Sequence, residues 1–264
     1  MYELLLCHRR AHWVTPGAFF DHWRGRRREV VAQLRPALRY AQYVQLERAS
    51  RFNILYLAIR ASRSWPVTAL LAALQRLPLP SFFTGSEGDE RWDVVESFRY
   101  ASRGDLEAAF GSPEGIAALR SLGADALGRV RNGATLVTED LVVSDDVALG
   151  YPRTVTRFCL RARPPLTHAQ MLERWKTTHK ALVTELQAPL GYREYDQLYV
   201  EPSPNANGRS FDAVAVLAYG AESSLLRRLI DVRTQLANFR LVKDEVHFID
   251  LGRSALVFGT ETVC

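Results

Sequence analysis

Apolar positions along the chain fall into short blocks that read as alternating strands and helices. LLLCHR (4–9) and RFCLRA (157–162) are brief apolar runs of strand character. Each is followed by a threonine, Thr15 or Thr167, placed as an N-cap before a helical stretch. HAQMLERWKTTHKALVTEL (168–186) puts Met171, Leu172, Trp175, Leu182, Val183 and Leu186 close to an i, i+3, i+4 pattern. That spacing predicts a helix with one buried face, ending before Pro189 and Gly191. GYREYDQLYV (191–200) and FDAVAVLAY (211–219) then read as strands. A second helix is predicted from about Glu222 to Asn238, and RSALVFG (253–259) closes the series as a strand. ATLVTEDLVV (134–143) holds the closing place earlier in the chain.

The blocks recur. Residues 2–43 align without a gap with 154–195 at an offset of 152, with nine identities in 42 positions, among them Cys7/Cys159, Thr15/Thr167, Trp23/Trp175, Tyr40/Tyr192 and Tyr43/Tyr195. WDVVESFRY (92–100) then lies over FDAVAVLAY at an offset of 119, with Asp125 over Asp244. The change of offset means that the first copy carries 33 extra residues. They fall at about 51–90, where an apolar stretch between Pro66 and Pro78 predicts one short helix, a lid, a partner contact or a piece of core. The expected organisation is a first repeat over 1–145 with that insertion and a second over 151–264. Each repeat reads βαββαβ, the ferredoxin-like order, which makes an antiparallel sheet with both helices on one face. The fold class is therefore α+β, with two ferredoxin-like repeats covering each other's bare sheet faces in a barrel of the dimeric type. The barrel closes either within one chain or across a homodimer, and the space between the sheets is the expected ligand cavity.

Composition changes this picture little. With 47% apolar, 10% aromatic and 24% charged residues among 264, the chain has the make-up of an ordinary globular protein. Its formal charge of +5 rests almost wholly on arginine, and no nucleic-acid-binding motif accompanies it, so no nucleic-acid partner is expected. The densest run, Arg24, Arg26, Arg27 and Arg28, reads as a solvated helix face. Cys7, Cys159 and Cys264 form no CxxC pair and no metal-ligand spacing. No apolar span reaches 18 residues and no signal segment opens the sequence, so the expectation is a cytoplasmic protein with no membrane partner.

The motifs WKTTH (175–179), PLGYREY (189–195) and DEVHFID (244–250), taken in order with the duplication, resemble the EthD domain proteins of the dimeric α/β-barrel superfamily. The resemblance covers nearly the whole chain apart from the insertion. It is lost at key places in the first copy. Arg27 stands where the motif has histidine, and Arg129 and Arg131 replace the equivalents of Phe248 and Asp250, so the second copy is read as keeping the polar equipment that the first has lost.

His179 lies one turn from Trp175 on the same helix face, and an imidazole at a pocket wall can act as general base or acid. Asp244 or Asp250 would orient it, and Tyr192 or Tyr195 would donate to a substrate oxygen. Trp175 and His247 would line the substrate site, and Arg27 would bind an anionic group across the cavity or form a surface ion pair. The plainer alternative makes His179 a hydrogen-bonded structural residue, the tyrosines core aromatics and the aspartates caps or turn formers. No GxGxxG, P-loop, HExxH or GxSxG occurs, so the chemistry is expected to use side chains without a cofactor. The resemblance implies a dehydratase or decarboxylase (lyase) with His179 as base, acting on a small apolar or aromatic, polyketide-like carbonyl or phenol. Its alternatives are a cofactor-free monooxygenase, a non-catalytic small-ligand-binding or accessory barrel, and a haem-binding barrel with His179 as axial ligand.

Overall fold

Strand-forming blocks at both ends of the chain must find partners, and they find one another in a single sheet. The computed structural model describes residues 2–48, 92–131, 136–144, 150–200, 211–219, 231–251 and 253–264. The insertion at 51–90 and the first part of the helix predicted from Glu222 lie outside the described residues. The strands are β1 (Tyr2–Arg10), β2 (Gln42–Arg48), β3 (Val94–Tyr100), β4 (Gly128–Arg131), β5 (Leu136–Ser144), β6 (Arg153–Leu160), β7 (Glu194–Val200), β8 (Ala213–Tyr219) and β9 (Ala255–Val263). They pair antiparallel in the order β3-β2-β9-β6-β8-β7-β5-β1-β4, and β1 also pairs with β3. The sheet thus curls until eight strands close a ring within one chain, with β4 attached beside β1.

The helices are α1 (Pro16–Arg24), α2 (Arg26–Leu38), α3 (Arg103–Gly111), α4 (Pro113–Asp125), α5 (His168–Arg174), α6 (Lys180–Glu185), α7 (Gln187–Leu190) and α8 (Val232–Glu245), so the protein is mixed α+β. Thr15 and Thr167 are both N-caps, as their place before the helical stretches predicts. The long helix expected over 168–186 is instead α5, a π-helical turn at Trp175–His179, and α6. A further turn, α7, carries the chain through Pro189 to Gly191, whose left-handed φ of 65° ends it. The last helix also overruns its expected end at Asn238 and continues to Glu245.

Strands β5-β1-β3-β2 and β9-β6-β8-β7 follow the same relative order, and β2 joins β9 while β5 joins β7. Alternation along each strand then sends one set of side chains into the ring and the other outward beneath helices. The inner set includes Leu5, Cys7, Leu46, Val95, Val155, Cys159, Leu198, Val214, Val216 and Val257, which form one buried cluster. The same alternation sends Glu3, Arg99, Arg153, Arg157 and Glu261 inward. β1 and β6 stand opposite each other in the ring, yet Arg157 Nη1 donates to Glu3 Oε1 at 2.7 Å across it. Arg157 Nη2 donates to Glu261 Oε1 and Arg153 Nε to Glu261 Oε2, each at 2.7 Å. The described interior is thus occupied by packed aliphatic side chains and a buried ionic lattice, where the sequence suggested a ligand cavity. Burial alone would raise the carboxyl of Glu3, but Arg157 and Arg99 hold it at about 2. Among the described residues, no helix is long and apolar enough to cross a membrane.

Candidate acid-base site

The two layers between helices and ring are built alike. Tyr40 donates to the carbonyl of Val31, and Tyr192 donates to the carbonyl of Val183. Gln45 Nε2 donates to the Trp23 carbonyl and the Tyr43 hydroxyl, and Gln197 Nε2 donates to the Trp175 carbonyl and the Tyr195 hydroxyl. Trp23 and Trp175 are wholly buried. Trp175, Tyr192 and Tyr195 thus belong to a packed layer, and the hydroxyl of Tyr192, expected to serve catalysis, is committed to the backbone. Burial pushes both tyrosine hydroxyls up from their ordinary value.

What differs is the pair of residues facing the aspartate that both halves share. In the second layer, the π-helical turn WKTTH takes one more residue per turn than an α-helix and brings both Trp175 and His179 to the buried side. His179 Nδ1 lies 3.0 Å from Asp244 Oδ2, on the last turn of α8, and Arg174 Nη2 donates to Asp244 Oδ1. Hydrogen bonds from His179 and Arg174 lower the Asp244 carboxyl from its ordinary value. An ionised Asp244 accepts from Nδ1–H, so the lone pair of the imidazole sits on Nε2, which has no hydrogen-bond partner among the described residues. Phe248 meets the imidazole edge to face at 5.2 Å, and the Arg174 guanidinium lies 5.6 Å from the Phe248 ring. The ring of His179 is almost closed off, whereas the Arg174 side chain is 37% exposed.

In the first layer the same two places hold the same two side-chain types, exchanged. His22 stands 3.2 Å from Asp125, in the place of Arg174, and Arg27 stands in the place of His179. The Arg27 guanidinium is wholly buried and cannot shed its proton, so it needs a carboxylate inside the layer. Glu96 supplies it, accepting from Nε at 2.9 Å and Nη2 at 2.8 Å, and also meets His8 Nε2 at 2.7 Å and the Tyr43 hydroxyl. The equivalent place in the second layer is Ala215. Arg27 is therefore neither a cavity-lining anion binder nor a surface ion pair. Nor has the first half lost its polar equipment; it holds the larger buried ionic cluster.

Of the other expected site residues, His247 is exposed. Asp250 lines a crevice of about 350 Å³ with Arg163, Pro164, Val246, Ile249 and Leu251, which does not include His179. The structure thus brings Trp175, His179, Asp244 and Tyr195 into one layer and leaves Asp250, His247 and Arg27 outside it. It adds two residues that the sequence reading passed over, Arg174 and Glu245. Glu245 is buried beside Asp244, and burial raises its carboxyl, with His179 opposing the rise. Its signal was legible: four residues after Leu241 and eight after Ala237, it occupies an inner-face position of an amphipathic helix. Among the described residues, no three His, Cys, Asp or Glu side chains gather as a metal site.

No family model and no curated protein matches the chain. Solved structures do resemble it. An anthrone oxidase-like protein aligns over 100% of this chain and 90% of its own, with a TM-score of 0.50 and 10% identity. Candidate monooxygenases from Fusobacterium nucleatum subsp. nucleatum and Lactobacillus acidophilus align over 84% of this chain and 90% and 92% of theirs, with TM-scores of 0.39 and 0.34 and identities of 8% and 9%. At these identities the first likeness shows a shared fold.

Proposed function

We propose that the chain is a cofactor-independent enzyme of the monooxygenase type, built from two EthD-like, ferredoxin-like repeats, in which the His179–Asp244 dyad removes a proton from an activated carbon of a small aromatic substrate. The observation that carries the reading is the dyad itself. Asp244 orients the imidazole through Nδ1 and leaves Nε2 as the basic nitrogen, while Arg174, on the more open side, can face an oxygen on which negative charge develops. The fold shared with an anthrone oxidase-like protein favours oxygen chemistry over the lyase reaction and suggests an anthrone as probe. The balance is simple: the deprotonated methylene carbon gives electrons to O2, one oxygen stays as a carbonyl, and the other leaves as water with the two hydrogens. The two-repeat reading is supported by matching strands, β2 and β7 at the first offset and β3 and β8, with β5 and β9, at the second, and by the exchanged His and Arg around equivalent aspartates.

Haem is left out of this reading because the imidazole is packed against Phe248 and a porphyrin would need that side cleared. A colourless purified protein agrees with this, and a Soret band overturns it. One observation favours a second reading, a binding or scaffold protein: His179 is only 3% exposed, as a structural histidine would be. Oxygen uptake with anthrone separates the two. His179→Ala is expected to lose about 100-fold or more in kcat while retaining the native circular-dichroism spectrum. Wild-type turnover in His179→Ala, or no turnover in the parent protein, removes the catalytic reading. Turnover without oxygen would return the lyase.

A further inference from the structure

Helix α8 has two faces with different tasks. Its inner face buries Thr234, Ala237 and Glu245, and the Thr234 hydroxyl donates to the Pro189 carbonyl at 2.7 Å, which pins the helix to the fold. Its outer face carries Val232, Leu236 and Phe239, 69%, 60% and 68% exposed. Spaced i, i+4, i+7, these three form one continuous apolar ridge. Basic residues share the outer side, since Arg233, Arg240 and Lys243 are all exposed. The helix's acids are engaged elsewhere. Asp231 caps the N-terminus, accepting from the Arg233 N–H and the Thr234 hydroxyl, Asp244 holds His179, and Glu245 is buried. Glu185, alongside, pairs with Arg240 at 2.9 Å.

We propose that this ridge docks the protein onto an anionic membrane surface, with Val232, Leu236 and Phe239 entering the headgroup boundary and Arg233, Arg240 and Lys243 reaching lipid phosphates. A convex apolar ridge flanked by long basic side chains suits a bilayer interface, where the aliphatic stems lie along the apolar zone and the charged ends stay among headgroups. The chain's formal charge of +5 acts in the same direction. A second copy suits the ridge less well. Antiparallel pairing about Leu236 sets Arg233 of one copy against Arg240 of the other on the same flank, and parallel pairing stacks Lys243 on Lys243 with the helix dipoles aligned. The proposal departs from the expectation of no membrane partner. That expectation rested on the lack of a spanning segment, which an interfacial helix does not need. It stands independently of the chemistry at His179.

Co-sedimentation with vesicles of equal phosphatidylglycerol and phosphatidylcholine, against phosphatidylcholine alone, tests it. The protein is expected to bind the anionic vesicles about tenfold or more better. Leu236→Glu/Phe239→Glu should abolish that binding, and Arg233→Gln/Arg240→Gln should remove most of the preference for anionic lipid. These positions are exposed, so unchanged thermal melting is expected and verifies that the variants are folded. No binding at about 1 mM anionic lipid, or undiminished binding by the double glutamate variant, overturns the proposal. A concentration-dependent dimer that the double glutamate variant loses would assign the ridge to a second copy instead.

Discussion

An exchange of side chains sets the two helix–sheet layers apart. Around Asp244 the imidazole is inside and the guanidinium outside; around Asp125 the guanidinium is the deeper group and the imidazole the shallower. The consequence is energetic as well as chemical, because a buried imidazole can be neutral whereas a buried guanidinium cannot. Arg27 therefore requires Glu96, and the pair is fully buried. Arg27→Met leaves the buried Glu96 carboxylate with only His8 and the Tyr43 hydroxyl and is expected to cost roughly 3–5 kcal/mol in urea unfolding. Adding Glu96→Leu should recover much of that loss, since an apolar pair needs no solvation; a double variant as unstable as the single one would show that His8 and Tyr43, not the missing charge, dominate the site.

Helix ends and interruptions decide where these side chains point. At the matching place in the first half, Gly25 breaks the path between α1 and α2 where the second half has the π-helical turn. Both devices bring a tryptophan and the residue four positions on to the same layer, so Trp23 and Arg27, like Trp175 and His179, are buried. Thr167 begins its helix with a full capping box, its hydroxyl accepting from the Gln170 N–H while the Gln170 side chain accepts from the Thr167 N–H. Thr15 accepts from the Ala18 N–H but has no reciprocal partner at that position. Thr167→Ala should cost about 1 kcal/mol, and Thr15→Ala less, both measurable by chemical denaturation. Equal losses would mean that the reciprocal bond adds nothing.

The ring as a unit is held by charge as well as by apolar packing. Glu3 and Glu96 are both held at about 2, burial tending to raise them and arginines, with His8 for Glu96, overcoming it; Glu261 is also lowered. Between the ordinary value of 4.5 and about 2, the unfolded chain takes up protons at these sites and the folded chain does not. Stability from these carboxylates is therefore complete above pH 4.5 and is lost as pH falls toward 2. Burial also lowers His8, with Glu96 opposing, so a smaller loss begins as pH falls below its ordinary 6.5. Thermal melting from pH 7 to 2.5 should show this decline, weakly dependent on salt because the pairs are shielded from counterions. A flat profile would mean that the lattice is not ionised.

Local pattern made much of the architecture legible: the strand blocks, both threonine caps and the buried face at Trp175 all follow from periodicity and spacing. These are short-range properties, set by which side of a helix or strand a residue occupies. The pairing of His179 with Asp244, 65 residues away, is suggested only by the resemblance, which leaves Asp250 as an equal choice. Helix lengths escaped because a turn such as α7 is held by tertiary contact, the Pro189 carbonyl accepting from Thr234, and a proline inside it does not stop the chain until Gly191. The fate of Arg27 escaped as well, because whether a charge is solvated or buried depends on a partner 69 residues away in sequence. Likewise, closure of the ring within one chain and the filling of its interior by Glu3, Arg157 and Glu261 depend on which strands meet across space. Periodicity can tell which face a side chain takes, but only the assembled fold determines what stands opposite it and therefore whether that face becomes core, site or surface.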